Sequence, residues 1–177
     1  MIELPEAHVI AEQMSEQLRD KRVASCVRGN AAHKFAFYSG TAEEYAQIFP
    51  GKVLGAARGH GNAILVPLQP GYTLGLGGGG ERILYHESAR TLPKKHHLLL
   101  NFEDGTVLTV TVQGWGNVLL LDPKGLEQHP HAGHGRVSAL SEDYTFEFFD
   151  WQFGELDEGD SKSVKFFLIS EPGVWGM

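Results

Sequence analysis

The chain opens on a segment whose apolar residues recur at the spacing of an α-helix. Between Pro5 and Lys21 four of them fall on one face: Val9, Ile10, Met14 and Leu18. This pattern is typical of an amphipathic helix that packs one side against a core. We therefore expect a helix over Pro5–Lys21 with Met14 and Leu18 buried.

Beyond this segment the pattern changes to short apolar runs separated by Gly- and Pro-bearing turns. Thr41 and Glu44 form a capping-box pattern that predicts a short helix ending at Phe49. Glu103-Asp104-Gly105 between two runs indicates a hairpin. Strands at this spacing favour a mainly β fold with flanking helices, an antiparallel two-sheet β-sandwich, over a parallel sheet. The predicted strands are Arg22–Val27, His33–Tyr38, Lys52–Arg58, Ala63–Leu68, Tyr72–Leu76, Arg82–His86, His97–Phe102, Thr106–Val112 and Asn117–Leu121.

The last third of the chain combines a polar segment with two further helical patterns. Asp122–Val137, rich in Pro, Gly and His, is predicted to be a loop. A helix is expected to begin at Ser141-Glu142-Asp143, with Phe146, Phe149 and Trp151 in the core, and another over Ser161–Ser170.

Composition fits one soluble domain spanning residues 1–177, with 42% hydrophobic and 21% charged residues. The net charge of −7 excludes a strongly basic nucleic-acid binder, so any DNA contact requires a local patch. The single cysteine, Cys26, excludes an internal disulfide and favours a cytoplasmic setting. We find no signal peptide and no run long enough to span a membrane, so no membrane partner is expected.

Three local clusters invite a functional interpretation. Gly75–Gly80 matches G-x-G-x-x-G, but a strand pattern follows it, which favours a flexible hairpin loop over a dinucleotide site. His129, His131 and His134 suggest a metal site or a solvated loop. Lys94-Lys95-His96-His97 is a compact basic cluster that suits either a solvated strand entry or phosphate contacts.

Glu3 and Glu6, three residues apart around Pro5, suit the first turn of a helix, where carboxylates oppose the helix dipole. Glu-Leu-Pro-Glu directly after the N-terminus also resembles the opening of the formamidopyrimidine-DNA glycosylase and endonuclease VIII family, whose members excise oxidised bases. Further motifs occur in the same order as in that family. Arg58 to Leu65 resembles its Arg-x-x-Gly-Lys-Tyr-Leu-Leu strand entry, and Gly75 to Gly80 its His-Leu-Gly-Met-Ser-Gly. Similar stretches are Lys95 to His97 with Asp104 to Leu108, Leu140 to Tyr144, Lys165 to Leu168 and Pro172 to Gly176.

The resemblance implies the family's N-terminal sandwich domain and its chemistry. In the family an amine at residue 2, normally proline, attacks the sugar C1′ of a damaged nucleotide and forms a Schiff base that permits strand cleavage. By this resemblance Ile2 occupies the nucleophile position, Glu3 would shuttle protons and Glu6 would support the helix start. Asn62 corresponds to a phosphate-binding lysine. The family's wedge residues fill the gap left by a flipped base, and they correspond here to Gly78 and to Gln113 or Gly114. The third corresponds to Trp115, which is either the wedge aromatic or an aromatic residue of the sheet surface or the core.

Several departures from the family pattern leave two functional hypotheses. Ile2 replaces the proline, Asn62 the lysine and Gly78 the wedge methionine. One hypothesis is a divergent glycosylase-family protein of base excision repair that acts on or recognises damaged double-stranded DNA. The other is a non-catalytic module that kept the fold and binds DNA or a protein. DNA contacts are expected from Asn62, Gly78, Gln113, Trp115, Lys94, Lys95 and His97. Binding should be weak without a C-terminal half, and no cofactor is expected here, because the family's zinc belongs to a helix-two-turn-helix and zinc-finger region absent from this chain.

Overall fold

The computed structural model describes residues 2–130, 132, 137–154, 163, 167 and 168. Two β-sheets pack face to face, as the strand pattern predicts, with helices at their flanks. The helices are α1 (Leu4–Leu18), α2 (Ala42–Ile48), α3 (Pro123–Gln128) and α4 (Phe146–Gly154), with a 3₁₀ turn at Ala89–Thr91. The strands are β1 (Val23–Val27), β2 (Ala36–Tyr38), β3 (Val53–Leu54), β4 (Arg58–His60), β5 (Ala63–Gln69), β6 (Tyr72–Gly77), β7 (Glu81–His86), β8 (Leu98–Phe102), β9 (Val107–Val112) and β10 (Gly116–Leu121).

The two sheets have different strand orders. The four-stranded sheet runs β1-β8-β9-β7, and the six-stranded sheet runs β2-β10-β6-β5-β3, with β4 paired to β5. All of these pairs are antiparallel except β2 with β10, which is parallel and aligns Phe37 with Asn117. The predicted antiparallel sandwich is therefore confirmed, with one parallel pair at an edge.

Helix α1 buries a face that includes three of the four predicted residues, Ile10 in part and Met14 and Leu18 fully. Leu4, Ala7, Ala11, Met14 and Leu18 are buried, and this spacing is that of a single helical stripe. Met14 and Leu18 lie in the core as expected. Val9 lies outside the stripe and is 52% exposed, so its place on the core face was wrong.

The capping box predicted for α2 is present. The Thr41 N–H donates to the Glu44 carboxylate at 2.6 Å, and the Glu44 N–H donates to the Thr41 hydroxyl at 3.2 Å. These two bonds fix the start of a helix that delivers Tyr45 and Phe49, both fully buried, to the core between the sheets.

Two predictions about element boundaries were wrong. The run Lys52–Arg58 forms two strands, β3 and β4, that both pair with β5, because residues 55–57 interrupt the ladder with one residue more than the facing part of β5. The segment Asp122–Val137 begins with α3 instead of a loop. The Asp122 carboxylate accepts from the Gly125 N–H at 2.6 Å, and Pro123 suits the first helical position.

Helix α4 begins later than predicted and exposes its aromatic side chains. Ser141 forms a turn, its hydroxyl accepting from the Asp143 N–H, and the helix starts at Phe146. Phe146 is 75% exposed and Trp151 59% exposed, so neither is core, whereas Phe149 is half-buried beside Phe167. The predicted helix Ser161–Ser170 lies outside the described residues except for Ser163, Phe167 and Leu168.

Strand pairing defines two ends of the sandwich. The β8–β9 turn, residues 103–105, lies at one end beside Lys21 and Arg22, which we call the hairpin end. At the other end lie residues 28–35, 78–80, 94–97 and 113–116, which we call the glycine-loop end. In the described part of the chain no helix has the length and apolar character needed to cross a bilayer.

Candidate nucleic-acid interface

The glycine loop, Gly77–Gly80, is the point where separate parts of the chain meet. The Gly78 N–H donates to the Asn62 carbonyl at 2.8 Å, and the Gly80 N–H donates to the Trp115 carbonyl at 2.7 Å. These bonds tie the loop to the start of β5 and to the turn before β10.

Two more backbone bonds complete this junction. The Ile2 N–H donates to the Gly79 carbonyl at 2.7 Å, and the Gln113 N–H donates to the Gly80 carbonyl at 2.7 Å. Five residues that the family resemblance singled out are thus brought together around one loop: Ile2, Asn62, Gly78, Gln113 and Trp115.

The loop accepts only glycine at its centre. A Cβ on Gly79 would lie 2.0 Å from the Trp115 carbonyl oxygen, and one on Gly80 would lie 2.0 Å from the Gln113 carbonyl oxygen. Gly77 and Gly78 have φ of +103° and +78°, where an L side chain is strained. Strand β7 follows directly, where a dinucleotide site needs a helix, so the sequence was right to disfavour such a site. The predicted hairpin loop was wrong, because β6 and β7 pair in different sheets and the loop crosses from one sheet to the other.

Glu81 braces this junction, and sequence reasoning missed it. Its side chain is buried, and its two carboxylate oxygens accept from the Asn117 N–H at 2.7 Å and the Gly79 N–H at 3.2 Å. Burial raises the pKa of the carboxyl, and the backbone N–H donors oppose that rise. The sequence signal for this role was an acidic residue directly after four glycines, at the first position of a predicted strand.

At the N-terminus, Ile2 is a buried anchor and the two glutamates start a helix. Ile2 is 5% exposed and belongs to the main core. The Glu6 carboxylate accepts from the Glu3 N–H at 3.0 Å, and both side chains remain at the surface. The helix-start interpretation of this pair is confirmed, and the proton-shuttle role of Glu3 stays a prediction.

The basic cluster divides into exposed lysines and buried histidines. Lys94 and Lys95 are exposed at the glycine-loop end. His97 is 3% exposed, its Nδ1 accepts from the Val112 N–H at 2.8 Å, and burial lowers its pKa. In this structure the His97 ring is covered at the start of β8, where it packs against His33, and its DNA contact stays a prediction.

A cavity of about 300 Å³ opens on the outer face of the six-stranded sheet, beside the glycine loop. Asn62, Gly78 and Trp115 line it, together with two residues that sequence reasoning missed, Phe37 and Asn117. Trp115 is 45% exposed, so it is a surface aromatic and not a core residue. Phe37 reaches this site only because β2 pairs with β10, a long-range contact that no local pattern announces.

The described residues offer little for metal or thiol chemistry. Within them no three His, Cys, Asp or Glu side chains are grouped to hold a metal ion. His129 lines the cavity, whereas His131 and His134 lie outside the described residues. Cys26 is buried as expected, and burial raises the pKa of its thiol to about 12, which suppresses the reactive thiolate.

Comparison with known proteins gives a consistent result. The family model described as formamidopyrimidine-DNA glycosylase N-terminal domain matches residues 1–113. No curated protein sequence matches the chain. Among solved structures, MutM in complex with DNA containing carbocyclic 8-oxo-G superposes with a TM-score of 0.58 at 16% identity, over 69% of this chain and 45% of that one.

A second similar structure is that of Lactococcus lactis Fpg in complex with DNA containing an abasic site. It has a TM-score of 0.57 at 15% identity and covers 69% of this chain and 45% of that one. At such identity the likeness supports the fold, which is the predicted glycosylase-type N-terminal sandwich. This chain therefore spans less than half the length of either of these structures.

Proposed function

Because this chain belongs to the formamidopyrimidine-DNA glycosylase N-terminal domain family, we propose that it recognises damaged double-stranded DNA through its glycine-loop end, without Schiff-base chemistry at residue 2. In this proposal the domain serves base excision repair as a recognition module. The family's wider activity would depend on a C-terminal half, because the related structures are more than twice as long as the part that matches.

The surroundings of Ile2 carry the non-catalytic part of the proposal. A nucleophile must present a free lone pair to the sugar. With Met1 in place, the nitrogen of Ile2 is a peptide amide, whose lone pair is delocalised into the carbonyl. Its N–H is already committed to the Gly79 carbonyl, and its side chain is buried in the core. This position supports the loop and is not free to attack.

The distribution of ion pairs supports DNA contact at one end. At the hairpin end, Lys21 and Arg22 pair with Asp104 and Glu103. At the glycine-loop end, Lys34, Lys94 and Lys95 form no ion pair with any described residue. Unpaired lysines can neutralise phosphates without first breaking a salt bridge, so this end is the local patch that a chain of net charge −7 requires.

Reductive trapping tests the chemical part of the proposal. The full chain is incubated with sodium cyanoborohydride and a labelled duplex containing an abasic site, and adducts are separated on a denaturing gel. Mass spectrometry of the protein establishes whether Met1 is present. We expect no covalent adduct. An adduct whose cross-linked peptide begins at residue 1 or 2 would overturn the non-catalytic assignment.

Fluorescence anisotropy tests recognition separately. Duplexes with and without a tetrahydrofuran abasic analogue are titrated at low salt, where phosphate contacts are strongest. We expect micromolar or weaker binding, on the order of non-specific affinities for DNA, with the damaged duplex preferred. Absence of binding to both duplexes would refute DNA recognition, whatever the outcome of trapping.

A further inference from the structure

The cavity beside the glycine loop coincides with a set of small residues. By the motif resemblance, four of the positions that line it carry large side chains in the family pattern: lysine, tyrosine, histidine and methionine. In this chain the corresponding residues are Asn62, Ala63, Gly75 and Gly78. The cavity is therefore a feature of this sequence, opened where the family pattern would fill it.

Three polar or aromatic side chains converge on one point inside the cavity. That point is where a Cβ on Gly78 would stand. It lies 3.3 Å from Asn117 Nδ2, 3.8 Å from Trp115 Cη2 and 3.9 Å from Asn62 Nδ2. A group placed there would touch an aromatic edge and two amides at once.

The amides are suited to reading the edge of a ligand. Asn117 is held in place because its Nδ2 donates one hydrogen to the Gly77 carbonyl at 3.0 Å, which leaves the second Nδ2 hydrogen for a ligand. The Asn62 side chain makes no hydrogen bond to the described part of the chain, so its donor and acceptor are both available. At the cavity point both amides bring Nδ2 closest, so they offer one fixed donor and one adaptable donor.

The walls are aromatic and uncharged. Phe37 and Trp115 are 47% and 45% exposed, so each keeps a ring face open to a ligand. No Lys, Arg, Asp or Glu occurs among the described residues that line the cavity. An anionic group such as a phosphate finds no lysine or arginine here, and His129 is the one ionisable side chain among the described lining residues, whereas a neutral planar ring finds stacking surfaces and hydrogen-bonding groups. A volume of about 300 Å³ is at the small end of ligand pockets and suits a single ring system.

We propose that this cavity receives an unstacked nucleobase, packed against Trp115 and Phe37 and read at its edge by Asn62 and Asn117. As a site on DNA, this inference rests on the proposed function. Where the family pattern would push a side chain into the base stack, this protein offers a space that a displaced base enters. The base comes either from a distorted duplex or from a free nucleoside, and the test separates these sources.

The experiment is an NMR titration of the ¹⁵N-labelled full chain, following the Trp115 indole and the Asn62 side-chain amide. Three probes are compared: a fully paired duplex, the same duplex with one bulged thymine, and free thymidine. Trp115→Ala removes the stacking wall, and Trp151→Ala is its matched control, an exposed indole on α4 away from the cavity. Gly75→Leu fills the cavity by a second route, since a Cβ there meets only ordinary contacts of 3.5 Å or more.

We expect the bulged duplex to bind at least about fivefold more tightly than the paired one, and Trp115→Ala and Gly75→Leu to abolish that preference. Binding of the paired duplex, and the Trp151→Ala variant, should be unchanged. Equal binding of both duplexes by the native chain would overturn the cavity assignment and leave DNA recognition standing. Thymidine shifts at Trp115 and Asn62 without any duplex binding would support the cavity and overturn the proposed function. No shift with any probe would overturn both.

Discussion

The substitution Gly79→Ala tests whether the glycine loop holds the junction together. The new methyl group would stand 2.0 Å from the Trp115 carbonyl oxygen and 2.7 Å from the Gly116 Cα, both backbone atoms that cannot rotate away. The loop must therefore move, and two bonds go with it: Ile2 N–H to the Gly79 carbonyl, and the Gly79 N–H to the Glu81 carboxylate. An overpacked site costs about 1–3 kcal/mol, and each lost bond about 1 kcal/mol more.

We therefore expect Gly79→Ala to lower the free energy of unfolding by about 3–5 kcal/mol, measured by urea denaturation, and the Ile2 amide to lose protection from hydrogen exchange. Gly114→Ala is the matched control. Gly114 has φ of +81° and no atom within 4 Å of an added Cβ, so it incurs only the backbone strain, about 1–2 kcal/mol. A Gly79→Ala protein within about 0.5 kcal/mol of the native chain, with Ile2 still protected, would refute this reasoning.

Three further predictions follow from the same contacts. Replacing Lys94 and Lys95 with alanine should reduce the slope of log K for DNA against log salt by about 1.8, because each phosphate contact contributes about 0.9. Since burial lowers the pKa of His97, the unfolded chain takes up this proton near pH 6.5 and the folded chain only at lower pH. The free energy of unfolding should therefore fall as pH drops below about 6.5, and less steeply in His97→Asn, whose amide oxygen can accept from the backbone as the ring nitrogen does. Tyr45→Phe removes the hydroxyl that donates to the Val118 carbonyl inside the core, and should cost about 1 kcal/mol by thermal unfolding.

The first two of these predictions have a comparison that isolates the cause. The double substitution of Arg19 and Arg22, exposed cations near the hairpin end, should leave the salt slope unchanged. For the histidine, His97→Asn and the native chain are also compared at pH 8, where this imidazole is neutral in the folded and unfolded chains, so that a difference there reports packing and not proton uptake. Equal salt slopes in both double variants, an unchanged pH profile in His97→Asn, or a fully stable Tyr45→Phe would each contradict the corresponding argument.

The parts of the fold that sequence could predict are those fixed by neighbours in the chain. The Thr41–Glu44 capping box and the Glu103-Asp104-Gly105 turn depend on residues a few positions apart, and both form as expected. Helix α3 was missed because Asp122 and Pro123 supply the start signal, while the Pro-, Gly- and His-rich sequence beyond it suggests a loop.

The site was predictable only through the resemblance. Ile2, Asn62, Gly78, Gln113 and Trp115 are scattered over more than half the chain, and no periodicity connects them. What joins them is backbone bonding to one loop, which depends on the pairing of whole sheets. For the same reason the burial of His97 could not be predicted from its neighbours, because a Lys-Lys-His-His run is typical of an exposed segment and only the folded sheet covers this ring.

The small residues at the cavity also explain which part of this domain would contact phosphates and which part would contact a base. Asn62 and Gly75 remove two cationic or titratable side chains that the family pattern places beside the loop, so phosphate attraction there is lost. The unpaired lysines lie on neighbouring segments instead, at Lys34 before β2 and at Lys94 and Lys95 before β8. In this proposal charge and shape are separated: the lysines would contact the DNA backbone, and the cavity would select a base that has already left the stack. Such a domain would gain little affinity from an intact duplex and would distinguish damaged from intact DNA mainly by the distortion of the base stack. This behaviour suits a chain of net charge −7 better than tight, sequence-independent binding to DNA does.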